Sequence, residues 1–169
     1  MDLYVIRHAD AQPLGGNITE DADRPLTEMG TAQSKALAHC LGRLGVHLDL
    51  ILTSPLLRAK QMGEEMLRHW GKPKPPLEVV EELVDAGKRK KLARLLREVG
   101  KESVALIGHQ PELSVFTAWL LGSRKAQLDL AKIGAALVRC EEAPGQGAGS
   151  LVWLVTPQWF IIPSPRHVD

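Results

Sequence analysis

Arg7-His8, Arg58 and His109 are the residues of this chain whose types could do chemistry together. Each follows a short apolar run. Leu3 to Ile6 leads into Arg7-His8, Leu50 to Leu52 into Thr53-Ser54-Pro55 with Arg58 in the turn beyond, and Val104 to Ile107 into Gly108-His109. An arginine offers a planar fork that matches phosphoryl oxygens, and an imidazole is a nucleophile able to attack phosphorus. The chemistry these types favour is binding of a dianionic phosphoryl group with a histidine in attacking range. A single histidine of this kind is as readily a strand-end residue bonded to a carbonyl. Its recurrence beyond successive apolar runs favours a shared site.

The elements that must position these residues follow from the same runs. Each run is too short for an independent helix and lacks polar alternation, so it reads as a strand buried on both faces of a parallel sheet. A helical pattern follows each one. Thr27 is placed to cap a helix whose stripe holds Ala32, Ala36, Leu37, Cys40, Leu41 and Leu44. Ser54-Pro55 reads as an N-cap and a first-turn proline for a helix carrying Ala59, Met62, Met66, Leu67 and Trp70. His109 leads through Pro111 to Leu113, Phe116 and Leu120. Leu77 to Val80, Ala135 to Cys140 and Leu151 to Val155 read as further strands, and Lys88 to Glu98 as a surface helix burying Leu92, Leu95 and Leu96. The expected fold is α/β: a three-layer sandwich, a mostly parallel sheet with helices on both faces, in one domain over residues 1–157 with a tail over 158–169. Ligands of such sheets bind beyond the carboxyl ends of the strands, where the two arginines and two histidines would converge with two helix N-termini.

Other phosphoryl and nucleotide chemistries fail on inspection. Gly15-Gly16 is not followed by Gly-Lys-Ser/Thr, and the Gly145 to Ser150 loop ends in Ser where a dinucleotide fingerprint needs Gly. Neither Cys40 nor Cys140 has the arginine spacing of a cysteine-dependent phosphatase, and two distant cysteines suggest reduced thiols. Asp21-Ala22-Asp23 does not follow an apolar strand, which weakens an aspartate nucleophile, and no Gly-x-Ser-x-Gly elbow occurs. His39, His47, His69 and His167 lack metal-ligand spacing, so neither a metal nor a cofactor is expected. Trp70, Trp119 and Trp153 read as core candidates. Lys88 to Lys91 reads as the solvated face of a helix, with docking of an acidic partner as its alternative.

The motifs resemble the histidine phosphatase (phosphoglycerate mutase-like) superfamily. Leu3-Tyr-Val-Ile-Arg-His-Ala-Asp-Ala11 is similar to its Arg-His-Gly signature. Arg24-Pro-Leu-Thr-Glu-Met-Gly30, Thr53-Ser-Pro-Leu-Leu-Arg-Ala59 and Gly108-His-Gln-Pro111 follow in the order of its small bacterial branch, that of the SixA-type phosphohistidine phosphatases. The resemblance spans Met1 to about Pro157. It implies that His8 is a nucleophile passing through a phosphohistidine, and that Arg7, Arg58 and His109 hold the phosphoryl oxygens, with His109 best protonated. Arg24 would reach the same pocket. Ala9 stands where the family more usually has Gly. Glu82, near the end of the third strand, occupies the region where larger relatives place an acidic proton donor, and is the candidate general acid.

The function so implied is metal-independent removal of phosphate from protein phosphohistidine, with a histidine phosphotransfer domain as partner. The alternatives are a small-molecule phosphomonoesterase with the same pocket and a silent phosphoryl-binding module. A monomer is expected.

Composition bounds these readings. The 169 residues are 44% apolar and 24% charged with a formal net charge of +1, which argues against disorder and against a uniformly basic surface for nucleic acid or anionic membrane. A domain of this length buries roughly 70% of its unfolded surface. The chain starts without a recognisable secretory signal and has no bilayer-length apolar run, so a cytoplasmic protein is expected. The charge is uneven: residues 1–30 carry six acids against Arg7 and Arg24, and residues 58–100 carry eleven Lys or Arg against seven acids. Folding is expected to draw Arg7 away from its acidic stretch into one concentrated cationic pocket with Arg58.

Overall fold

The apolar runs do form strands covered on both sides. The computed structural model describes residues 1–123 and 125–160. Its strands are β1 (Asp2–Arg7), β2 (Leu50–Thr53), β3 (Leu77–Val79), β4 (Ser103–Gly108), β5 (Ala135–Cys140) and β6 (Gly149–Val155). They make one six-stranded sheet in the order β3-β2-β4-β1-β5-β6. The pairs β1–β4, β2–β4 and β2–β3 are parallel, and β5 and β6 close one side antiparallel.

Helices α1 (Glu28–Arg43) and α2 (Leu57–His69) cover one face, α3 (Arg89–Val99) and α4 (Glu112–Leu120) the other. Within β1, Leu3 and Val5 pack with Leu92, Leu96 and Phe116, whereas Tyr4 and Ile6 pack with Leu37, Leu41 and Met62. Strand alternation thus serves two cores, which is why these runs show no polar period.

Register brings the chemical residues level. Arg7 lies opposite Gly108 and Thr53 opposite Ile107, so β1, β2 and β4 end together. The ladder continues one step further, with His8 N–H donating to the Gly108 carbonyl at 2.9 Å and Ser54 N–H to the Ile107 carbonyl at 3.0 Å. His8, Ser54 and His109 therefore leave the sheet along one edge.

Two local expectations are corrected. Thr27 caps α1 as expected, its hydroxyl accepting from Gly30 N–H at 2.9 Å. The buried stripe of α1, however, runs through Gly30, Ser34, Leu37, Ala38 and Leu41, while Ala32 and Leu44 face solvent. Gly30 and Ser34 escape a hydrophobicity pattern because they bury by small size and by an internal hydrogen bond (Ser34 Oγ donates to the Gly30 carbonyl at 2.7 Å). Ser54 does not cap α2, which begins at Leu57 with Leu56 in the cap position. Ser54 is instead fully buried, and its hydroxyl has another use.

Trp70, Trp119 and Trp153 pack on the core margins, half-buried. Cys40 and Cys140 are both free thiols. Past residue 157 the chain turns through Pro157–Trp159, and Phe160 packs beside the α1–α2 core. Of the tail expected over 158–169, residues 161–169 lie outside the described residues. Among the described residues no helix is long and apolar enough to cross a membrane.

Candidate active site

His8 is held by both of its ring nitrogens. Nδ1 donates to the Ala9 carbonyl at 2.7 Å, which leaves Nε2 with its lone pair. That lone pair accepts from Arg58 Nε at 3.2 Å. Burial, and the neighbouring Arg58 and Arg7, lower the His8 pKa to about 4, so the ring is neutral near pH 7. An uncharged imidazole with an oriented lone pair is the nucleophilic form.

His109 stands beside it, ring centroids 5.1 Å apart. Its Nε2 meets Ser54 Oγ at 2.7 Å, and Ser54 Oγ also accepts from Leu56 N–H at 3.3 Å. Among the described residues Nε2 is the one acceptor in reach of the Ser54 hydroxyl, so the hydroxyl donates to it, which puts the neutral ring's proton on Nδ1. Nδ1 is buried and has no partner among the described residues. Burial, then His8 and Arg58, lower the His109 pKa to about 3. Burial and the neighbouring cations thus disfavour the protonated form implied by the resemblance, and a phosphoryl dianion against the ring would favour it.

Arg7 shows the same incompleteness. Its Nη1 donates to the Leu130 carbonyl at 2.7 Å, whereas its Nε is buried with no acceptor among the described residues. Orphaned buried donors are rare because each costs about 1–3 kcal/mol. Two of them, on Arg7 and His109, flank the neutral His8. A phosphoryl group between them would satisfy both.

Arg58 is 6% exposed and lies in the first turn of α2. Besides His8 it grips Asp21, with Nη1 donating to the Asp21 carbonyl at 2.7 Å and Nη2 to the Asp21 carboxylate at 2.9 Å. Arg24 takes the other carboxylate oxygen through Nη1 at 2.9 Å, while its Nε donates to the Gln12 carbonyl at 2.6 Å. Arg24 thus reaches the site through Asp21. The purely cationic pocket expected from the charge distribution is corrected here, because a carboxylate from the acidic segment sits between its arginines. Asp21 was passed over in the sequence because it follows a loop and not a strand. Its nearness to the Arg24 motif was the available signal.

The loop that delivers Asp21 and Arg24 is anchored at Asp10. The Asp10 carboxylate accepts from Thr27 Oγ1 at 2.7 Å and from Lys132, and its carbonyl accepts from Thr27 N–H at 3.1 Å. Glu82 is placed in a 3-10 turn, Glu81–Leu83, after β3. It faces a narrow cleft with Asp85, Arg89 and Glu112, and no hydrogen bond or ion pair joins it to His8, Arg7, Arg58 or His109. Among the described residues no group of three or more His, Cys, Asp or Glu could hold a metal ion.

The sheet topology and this edge define an α/β phosphatase whose pocket is built around a histidine. Residues 3–88 match the model of the histidine phosphatase superfamily (branch 1), and the chain belongs to that superfamily. An uncharacterized protein of Picosynechococcus is 36% identical over 95% of this chain and 99% of its own length. Phosphohistidine phosphatase SixA of Escherichia coli is 29% identical, over 93% of this chain and 94% of its own. The structure of the protein histidine phosphatase SixA complexed with tungstate matches with a TM-score of 0.79 at 30% identity, covering 94% of this chain and 98% of that one. The chain is thus a SixA-like phosphatase, a hydrolase of phosphoryl groups.

Proposed function

We propose that this protein is a metal-independent phosphohistidine phosphatase, acting in the cytoplasm on a phosphorylated histidine phosphotransfer domain. The observation that carries the phosphoryl site is the pair of orphaned donors, Arg7 Nε and His109 Nδ1, beside the neutral His8. The likeness to SixA supports the substrate class.

The reaction proceeds in two balanced steps. As substrate enters, Arg58 Nε–H turns from His8 Nε2 to a phosphoryl oxygen, freeing the lone pair. Nε2 forms a bond to phosphorus while the substrate P–N bond breaks, its electron pair passing to the leaving ring nitrogen. If the other nitrogen of that ring is already protonated, the leaving group departs as neutral imidazole. Arg7, Arg58 and His109 stabilise charge on the equatorial oxygens. Water then attacks phosphorus and the P–Nε2 pair returns to His8, releasing inorganic phosphate with the water's protons on phosphate and solvent.

The carboxylates favour phosphohistidine over alkyl phosphates. An alkoxide needs a proton as it leaves, whereas protonated imidazole brings its own. Asp21, the carboxylate bonded to Arg58, is held below the usual carboxylate range by Arg24 and Arg58 and has no proton to give near neutral pH. Glu82 remains the candidate acid if an alkyl ester is the substrate.

The test is hydrolysis of a phosphorylated phosphotransfer domain, beside a panel of phosphomonoesters, in excess chelator, by wild type and His8→Ala. Loss of protein phosphohistidine with a trappable phosphoenzyme, both absent in His8→Ala, is expected. Equal or faster turnover of a sugar phosphate transfers the assignment to a small-molecule phosphomonoesterase. Phosphoryl binding without turnover leaves a silent binding module.

A further inference from the structure

Asp21 is unusual as a residue of a phosphate pocket, because its charge has the sign of the substrate. Its carboxylate lies between Arg24 and Arg58, one oxygen at 2.9 Å from each, and its side chain is 53% exposed. The inner edge of the Arg58 guanidinium touches His8, so Asp21 stands one guanidinium away from the nucleophile on the solvent side. Its charge is also felt at His109, whose ring it favours in the protonated form. Each carboxylate oxygen has a second lone pair, and half of the side chain is open, so Asp21 can accept another donor without releasing either arginine.

This placement has opposite consequences for the two ends of a phosphorylated substrate. The phosphoryl dianion is met by Arg7, Arg58 and the His109 ring. On the solvent side of Arg58 stands the negative charge of Asp21, with Arg24 on its other oxygen, where a group projecting outward from phosphorus would meet it. We infer that Asp21 is a specificity-determining residue, selecting by the charge of the group bonded to phosphorus: it receives the protonated, cationic imidazole ring of phosphohistidine, which then departs neutral, and repels phosphomonoesters whose alcohol portion is anionic. The phosphohistidine half of this inference rests on the function proposed above. The repulsion of anionic esters does not.

Its role is electrostatic and precedes bond breaking. A ring N–H of the substrate donates to the free lone pair of Asp21, which holds the proton that the departing imidazole must keep. A carboxylate or second phosphate on the leaving group would instead approach Asp21 as a like charge, at a place half open to solvent where the effect is partly screened. Arg24 keeps Asp21 in place by tying it to the Gln12 carbonyl, so the selecting charge belongs to the fold rather than to a wandering side chain.

The test compares three substrates in wild type, Asp21→Asn and Asp21→Ser. Phosphoimidazole has a cationic leaving ring when protonated, glycerol 2-phosphate a neutral leaving group, and 3-phosphoglycerate an anionic one. Ratios of kcat/KM within one preparation cancel any loss of folded protein. In both variants, relative to glycerol 2-phosphate, phosphoimidazole is expected to lose about tenfold and 3-phosphoglycerate to gain about tenfold. A parallel fall for all three substrates, or unchanged ratios, overturns the inference and leaves Asp21 as a strut for Arg58. If wild type fails to cleave phosphoimidazole and the phosphorylated domain alike, the proposed function falls, and the ratio of the two esters still decides the charge filter.

Discussion

Arg58 Nε donates to His8 Nε2 across 3.2 Å, joining residues fifty positions apart and covering the lone pair with which His8 would attack phosphorus. The bond ties the His8 ring to the first turn of α2. It orients the ring, and it disfavours protonation of the ring by placing a cation against it.

Replacing Arg58 separates charge from geometry. Lysine keeps the charge but lacks the fork that reaches His8 and Asp21 at once. Arg58→Lys is expected to lower kcat/KM by about 10²–10³-fold, the range for removal of one preorganised donor. Steady-state kinetics checks this, with a thermal melt to establish folding. Activity within twofold of wild type would dismiss the fork.

Two buried neutral histidines make stability depend on pH. Both have folded pKa values below the ordinary 6.5, at about 4 for His8 and about 3 for His109, so the unfolded chain binds more protons in the interval between. Their contribution is complete above pH 6.5 and declines as pH falls toward 4 and then 3, a loss on the order of 3 kcal/mol for His8 and 5 kcal/mol for His109. Denaturant titrations at pH 7, 5.5 and 4.5 should show this slope, and His8→Ala should flatten it. Phosphate should flatten it too, because a bound dianion favours the protonated rings. Equal slopes in wild type and His8→Ala would count against the assignment.

Ser54 acts through His109. Its hydroxyl fixes which nitrogen of that ring carries the proton, so Ser54→Ala frees the tautomer and leaves Nε2 unpaired. A fall in kcat of about 5- to 100-fold is expected, matching the ~1–3 kcal/mol cost of an unmet buried polar group. Imidazole ¹⁵N shifts should report a mixed tautomer at His109 in the variant, and an unchanged single tautomer would remove Ser54 from this role.

Gly30 permits a close approach. A Cβ there would lie 2.0 Å from the Asp10 carbonyl oxygen, which is backbone and cannot swing aside. Gly30→Ala should therefore push the Asp10 loop off the α1 N-terminus and cost about 3 kcal/mol. A shifted urea midpoint with an unchanged m-value is the expected record. Because that loop carries Asp21 and Arg24, activity should fall as well.

Much of this was legible in the residue order. Apolar runs lacking polar alternation marked the central strands, and the residues just beyond them were placed along one edge by the parallel register. Thr27 was legible as a cap because its side chain bonds locally to Gly30. Ser54 was misassigned for the converse reason: its partner His109 is 55 positions away, and no local pattern carries that information. The stripe of α1 was misplaced at Ala32 and Leu44 because apolar type alone does not say which side of a helix another helix will cover.

By itself the sequence determined the strands, the order of the motifs and the identity of the arginines and histidines at the strand ends, since these follow from short-range periodicity and from residue type. Only the tertiary structure decided their charge states and the place of Asp21. Burial and distance set those, and both are properties of segments brought together from across the chain. The acidic stretch around Asp21 and the basic stretch that begins at Arg58 are far apart in the sequence. Folded, they meet at 2.9 Å, and the pocket is a phosphoryl site with a carboxylate at its mouth.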